Sequence, residues 1–571
     1  MARTPLFLWM RRMLQSSWSN PPAASLLQSG QMDPERRAFL KKSLGAAAAV
    51  AAVSLLQPTP WAQAKAPEAL KPQTNHPPKP PVNIVGGGLG GLVTAYRLQQ
   101  QGIPCVLYEG SQRLGGRVFT RDHFNGDGMF VELGGELIDT GHTDLIALCE
   151  ELSVPLERFA TDVKETVTPL EPALFYSQGK VFTEAQVLEA FRPLAQVMSE
   201  DLHRCFPDGA IAIPTAEQPY QAALFDHMSL AEYLDRQRQL APVWLLRLIA
   251  AAYTGEYGLD PQEQSALNLL LLIGTDTSQG FQMFGESDEA MRVQGGNSRL
   301  VEAITRALQG RVPVRLGHRL TRLSVRNNQL VLGFSAGGQF RWEASPLTVL
   351  ALPFATLRNV TGVEHIGLSP LTLRCIQEWG YGTNSKQMMG FHRRFWQNPS
   401  ETASAAEHPT LAPASGGELF TDLPSQCYWD TSRLQPGQAG ILTNFIGGQA
   451  GKTATPQQWQ QALHDLNPLF GDLTDEQDGA RAFFNWAHHP WAKGSYTCPR
   501  PGQYTALMGV TRQSELSGRL FFAGEHCSLN SAGYMNGAVE SGNTTARQIS
   551  ENYHQTAVSP NPDRSDLAVT L

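Results

Sequence analysis

The chain has 571 residues, 42% apolar and 17% charged, enough for roughly two to four domain-sized units around large cores. Its 45 Lys and Arg stand against 52 Asp and Glu, a net charge of −7 that disfavours a nucleic-acid-binding role. Seven cysteines without C-x-x-C spacing imply neither a disulfide framework nor a zinc site, and no uninterrupted apolar run makes a convincing membrane span.

Residues 1–64 are expected to lie outside the fold. Glu35-Arg36-Arg37-Ala38-Phe39-Leu40-Lys41 sets twin arginines before an alanine-rich stretch, Leu44 to Leu56, too short to span a bilayer comfortably. Ala62-Gln63-Ala64 then offers a small-residue cleavage site. The pattern reads as a twin-arginine export signal, addressed to the Tat machinery and so to the periplasm. That route carries folded proteins, so a cofactor could be inserted before transport. Met32 is the expected start, with 1–31 an upstream extension. Without residues 1–64 the chain keeps 38 basic and 50 acidic side chains, a net charge of −12. Such a field attracts cationic substrates, and it serves solubility equally well.

Lys65 to Pro80 is a proline-rich linker. Val82 to Val85 is a short apolar run ending in glycines, Leu92, Ala95, Tyr96 and Leu98 recur at helical spacing, and Pro104 to Tyr108 is apolar again. This is strand, turn, helix, strand. Gly86, Gly88 and Gly91 form G-x-G-x-x-G at the first junction, where missing Cβ atoms permit a tight turn and close approach to a pyrophosphate. Glu109 ends the second strand, where a carboxylate can accept hydrogen bonds from an adenosine ribose. The pattern predicts a dinucleotide cofactor.

Just beyond, Arg113 and Gly115-Gly116-Arg117 make R-x-G-G-R, which resembles the second flavin signature of the flavin-containing amine oxidases, a family of monoamine, polyamine and L-amino-acid oxidases. The resemblance implies FAD, with Arg117 beside the pyrophosphate. Phe130 to Glu136, FVELGGE, resembles the family's next flavin-facing segment, with Gly134 and Gly135 against the cofactor. Thr143 to Leu152 is expected as a helix, and Leu170 to Ile273 as mostly helical. Arg292 to Leu300 resembles the family's G-G-x-x-x-L turn, after which Leu320 to Leu323, Leu330 to Phe334 and Leu347 to Pro353 read as strands. The implied class is α/β, a discontinuous Rossmann-type FAD-binding domain (81–150, 286–355 and 515–555) with a helical insert (151–285) and an α+β substrate-binding domain (356–514). The polar tail, 556–571, is expected to be disordered.

The C-terminal segment, Arg519 to His526 and Gly533 to Gly542, closely resembles the family's last flavin signature. By that resemblance Gly524 and Glu525 contact the flavin, and a helix starting near Met535 aims N–H groups at its pyrimidine carbonyl. Leu320 and Trp486 are likewise set against the cofactor. Ser385 to Phe391 alternates as a strand, and Lys386 on it resembles the family's lysine that holds a water at flavin N5. Asn485 to Gly502 resembles the monoamine oxidase segment that carries one tyrosine of an aromatic cage, so Tyr496 and Tyr534 form the expected pair. Ser495 occupies the flavin-linking cysteine position, so the FAD is expected to be non-covalent.

The implied reaction is hydride transfer from an amine α-carbon to flavin N5, giving an imine that hydrolyses, with oxygen or a quinone as the acceptor. A quinone-linked amino-acid dehydrogenase, a FAD-dependent desaturase and a non-catalytic flavoprotein remain alternatives. Many L-amino-acid oxidases place an arginine just after the Leu133-Gly134-Gly135 equivalent; this chain has Glu136. A carboxylate there is expected to repel an α-carboxylate and attract an ammonium, which favours a polyamine or a basic L-amino acid.

Overall fold

The computed structural model describes residues 80–159, 170–401 and 412–553. The export signal, the polar tail and all of the linker but Pro80 lie outside the described residues.

Five parallel strands form the cofactor-side sheet, in the order Leu520–Phe522, Thr348–Leu350, Val82–Val85, Cys105–Tyr108, Val314–Arg315. Val82–Val85 lies at its centre, with Ile84 between Val349 and Leu107. All four of its residues are buried, because both faces of the sheet are covered, one by the helices Leu89–Gln100 and Met535–Tyr553 and the other by strands that carry Leu320 and Phe334. The chain leaves this strand through Gly86 at φ +114°, a conformation only glycine adopts readily, and a Cβ there would meet Ala351 O at 2.3 Å. The helix Leu89–Gln100 follows, and the last helix, Met535–Tyr553, packs along it. The sheet therefore joins chain pieces more than 400 residues apart.

A second sheet of seven strands runs in the order Gln477–Asn485, Ser385–Phe391, Gly440–Ile446, Cys427–Asp430, Ser415–Thr421, Glu171–Ser177, Lys180–Phe182. It is antiparallel apart from the pair Ser415–Thr421 and Glu171–Ser177. Ser385–Phe391 is buried from end to end, with Lys386 opposite Phe445 and Phe484. A third, antiparallel sheet contains Arg319–Arg326, Gln329–Ala336 and Gln339–Ser345.

The segment expected to be mostly helical departs from that reading at its start, where Glu171–Ser177 and Lys180–Phe182 are strands. The apolar run Ala173 to Tyr176 is too short for periodicity to decide, and its partner strand lies about 240 residues further on. The rest is mostly helical. Glu184–Cys205 and Leu230–Arg236 begin with capping boxes, Thr183 with Gln186 and Ser229 with Glu232. Val243–Tyr257 ends at Gly258 in the left-handed conformation. All seven cysteines are free and buried. Among the described residues no helix is long and apolar enough to cross a membrane.

Candidate active site

A single cavity runs from the glycine-rich turn to the helices above the second sheet. At one end Glu109 accepts from the backbone N–H groups of Gly87 and Ser111, each at 2.7 Å, which fixes its carboxylate at the end of its strand. Gly91 is required by packing, since a Cβ would lie 2.0 Å from Gly86 O. Gly88 differs. A Cβ there would meet nothing nearer than Gly116 Cα at 3.9 Å, so the absent side chain leaves room on the cavity side.

Arg117 and Glu525 are ion-paired at 2.9 Å, and Arg117 also donates to Ser495 O at 2.7 Å. Thr497 Oγ1 and Gly533 N donate to the other carboxylate oxygen of Glu525, both at 2.8 Å. Burial opposes ionisation of Glu525, yet Arg117 and these donors more than offset it and hold its carboxyl below the ordinary range. Glu525 thus bolts three distant segments together at the cavity wall. Trp486 donates to Leu133 O at 2.8 Å, and Gly135 lies against Met535, where a Cβ would meet Met535 Cγ at 3.0 Å. A Cβ on Gly134 would lie 1.9 Å from Arg117 O. Leu320, Trp486, Gly134, Gly135, Gly524 and Met535 all line the cavity.

Three cavity-lining histidines carry buried ring nitrogens with no protein partner: Nε2 of His318, Nδ1 of His489 and both nitrogens of His526. Burial pushes His526 down to about 4, so its ring is neutral and keeps one donor and one acceptor. Orphaned buried polar atoms along one cleft call for a long polar ligand. Together with the open side of Gly88 and the fixed Glu109 carboxylate, they fit a bound dinucleotide.

Lys386 and Glu136 meet at the middle of the cavity. Lys386 Nζ donates to Glu136 Oε2 at 2.9 Å, and both residues are buried. The sequence reading sets Lys386 to hold a water and Glu136 to meet a cation at the mouth; in the structure each meets the other. Burial alone would raise the Glu136 carboxyl, but Lys386, then Arg292, hold it below its ordinary value. Glu136 therefore presents no free carboxylate to a substrate.

Tyr496 and Tyr534 line the same cavity and converge on a residue the sequence reading missed, Glu256. Tyr534 donates to Glu256 Oε1 at 3.3 Å, and Tyr496 donates to the backbone oxygen of Glu256. The ring of Tyr496 lies beside Gly533, whose Cβ, if present, would be 3.7 Å from Tyr496 Cδ2. Asn384 holds this arrangement in place by donating to Gly255 O and accepting from Ser495 Oγ, both at 2.6 Å. It ties the end of the Glu256 helix to the segment that carries Tyr496.

Two further glutamates, Glu289 and Glu418, line the same end of the cavity beside Phe284 and Phe420. Burial pushes Glu256 up to about 7, and raises Glu418 and, further, Glu289, which also feels Glu418 and Glu256. Neither Glu289 nor Glu418 has an ion-pair partner among the described residues. A sequence signal existed for Glu256, which is one of only two charged residues on the apolar helix VWLLRLIAAAYTGEY.

The sequence model of flavin containing amine oxidoreductases matches residues 89–550. The chain belongs to that family. It is 24% identical over 494 residues to the flavin-dependent L-tryptophan oxidase of Lentzea aerocolonigenes, covering 82% of this chain and 97% of that one. It is 26% identical over 497 residues to flavin-containing amine oxidase B of Sus scrofa, covering 82% and 85%. A solved putrescine oxidase bound to putrescine superposes with a TM-score of 0.64 at 19% identity over 82% of this chain and 99% of that one. Cyclohexylamine oxidase of Brevibacterium oxydans does so with a TM-score of 0.63 at 20% identity, covering 83% and 99%. The family makes this protein a FAD-dependent oxidoreductase of amines or amino acids. Gly86, Gly88, Glu109 and Arg117 line the same cavity as Lys386, Tyr496 and Tyr534.

Proposed function

We propose that the protein oxidises the C–N bond of a small amine with two cationic ends, a di- or polyamine, after export by the twin-arginine route. The reading rests on one observation above all: both tyrosines of the expected cage bond to Glu256, and Glu289 and Glu418 line the cavity beside them. An amine reacts as the neutral base, and apolar surroundings between two phenol rings favour that form. Burial keeps both phenols far above their ordinary pKa, so they stay neutral and add no charge. The distal end of a dication remains an ammonium, which the glutamates receive by charge-assisted hydrogen bonds. One molecule thus meets two different environments, and its orientation follows.

Bound FAD supplies the two-electron acceptor for the hydride that leaves the α-carbon. The chain's own part is to desolvate the reacting nitrogen, align the α-carbon through the tyrosine pair and exclude water until the imine departs. A basic L-amino acid fits less well. The arginines that line the cavity, Arg113, Arg117 and Arg319, stand with the dinucleotide residues, and Arg433, whose charge Glu289 and Glu418 feel, does not line it. The test is a panel of amines read by dye reduction and by imine-derived ammonia or aldehyde. Diamines and polyamines should exceed benzylamine and phenylalanine in kcat/KM, and the reverse order overturns the reading.

A further inference from the structure

An ammonium has three N–H donors. All three of Lys386 are committed within the protein: to Gly134 O and Glu136 Oε2 at 2.9 Å each, and to Glu132 O at 3.2 Å. The rings of Trp429 and Phe445 lie 5.0 and 5.9 Å from Nζ and close the remaining approach. The second oxygen of Glu136 accepts from Thr431 Oγ1 at 3.0 Å, so neither partner can turn away without breaking another bond. The other ionisable groups nearby do not disturb the balance of charge. Arg292 is ion-paired with Glu157 at 3.0 Å, and burial pushes Glu132, which accepts from Thr120 and Asn297, up to about 8 and so keeps it neutral. This wall of the cavity is electroneutral.

Resting on the family-derived position of Lys386 beside the flavin, we propose that Glu136 is a positioning residue that pins the Lys386 ammonium to the Leu133–Glu136 turn and cancels its charge. The consequence is an enzyme slow toward dioxygen that delivers electrons to a quinone-class acceptor. Dioxygen takes its first electron to become the superoxide anion, which an uncompensated ammonium stabilises and a neutral pair does not. A quinone takes two electrons and two protons and leaves as the neutral quinol, with no such requirement.

The test uses the holoenzyme and its E136Q, E136D, K386M and T431V variants. Sulfite addition to the oxidised flavin, followed by loss of visible absorbance, reports net local charge without turnover, because the adduct is anionic. Reoxidation of the substrate-reduced enzyme by oxygen and by a soluble quinone is followed in parallel. E136Q should tighten sulfite binding by about tenfold and speed reoxidation by oxygen by about as much, the effect of one unmasked charge within roughly 10 Å. Its rate with quinone should not rise, and E136D, which keeps the charge, should behave as wild type. An unchanged sulfite Kd in E136Q together with a weakened one in K386M overturns the role of Glu136 while leaving Lys386 beside the flavin. No change in either variant removes Lys386 from the flavin and sinks the parent reading instead. If E136Q fails to hold FAD, T431V, which only loosens Glu136, should shift sulfite binding in the same direction, and an unshifted value overturns the proposal.

Discussion

Tyr534 donates its hydroxyl to Glu256 Oε1 at 3.3 Å, which puts a tyrosine of the expected cage and a carboxyl raised by burial in one hydrogen-bonded unit. Burial raises Glu256 to about 7, so it is neutral below that pH and an anion above it. If the anion receives the distal ammonium, kcat/KM for a diamine rises as pH increases through about 7. Glu256→Gln should abolish that limb and lower kcat/KM for diamines by about 10- to 100-fold, the loss of one hydrogen bond to a charged group, with little change for benzylamine. A pH profile that survives the substitution assigns the limb to another group.

Ser495 donates to Asn384 and has no thiol to form a flavin thioether. Acid precipitation should therefore release the flavin into the supernatant, where its absorbance is read directly. Flavin that remains with the precipitated chain contradicts this.

Gly88 and Gly91 belong to one motif but fail in different ways. Gly91→Ala drives a Cβ into the backbone oxygen of Gly86, an overpacking that costs about 1–3 kcal/mol or more and lowers Tm with or without cofactor. Gly88→Ala has space in the protein and should leave the apoprotein's Tm unchanged while cutting FAD occupancy. Equal losses of apoprotein stability in both variants would show that the Gly88 side of the turn is not a ligand cradle.

The twin arginines at 36 and 37 make a prediction about place. Replacing both by lysine should leave active, flavin-loaded protein in the cytoplasm, measured by fractionation against a periplasmic marker. Undiminished periplasmic yield argues for another export route.

The cofactor half of the molecule was legible because its chemistry is local. The glycines of the first turn, Glu109 and the strand–helix–strand rhythm fall within about 30 residues, and the parallel sheet's apolar strands announce themselves as short runs. Lys386 was legible for a related reason, a charge on an otherwise buried strand. Its partner was not. Glu136 reaches Lys386 across 250 positions, and nothing in either segment states that they face each other. Glu256, Glu289 and Glu418 come from a helix, a loop and a strand that converge only in the folded chain, so Glu289 and Glu418 read alone as ordinary surface glutamates and Glu256 is marked only by its apolar helix. The strand Glu171–Ser177 escaped because its sheet partner, Ser415–Thr421, is distant in sequence, and Lys180–Phe182 escaped with it as its hairpin neighbour.

The five-stranded sheet also sets a clock on biosynthesis. Leu520–Phe522 completes its edge, Gly524 packs against Gly90 at the first turn, and the helix Met535–Tyr553 lies along Leu89–Gln100. The fingerprint that leaves the ribosome early cannot be closed until nearly the whole chain has followed, roughly 20 to 90 seconds later at ordinary elongation rates. Early in that interval the strand Val82–Val85 has its neighbour Cys105–Tyr108 but not Thr348–Leu350, and until its end the helix Met535–Tyr553 is missing from its face. Cofactor loading is in this sense a proofreading step: a chain that ends between Arg117 and Leu520 carries the whole dinucleotide motif but lacks Glu525 and Met535 of the cavity wall.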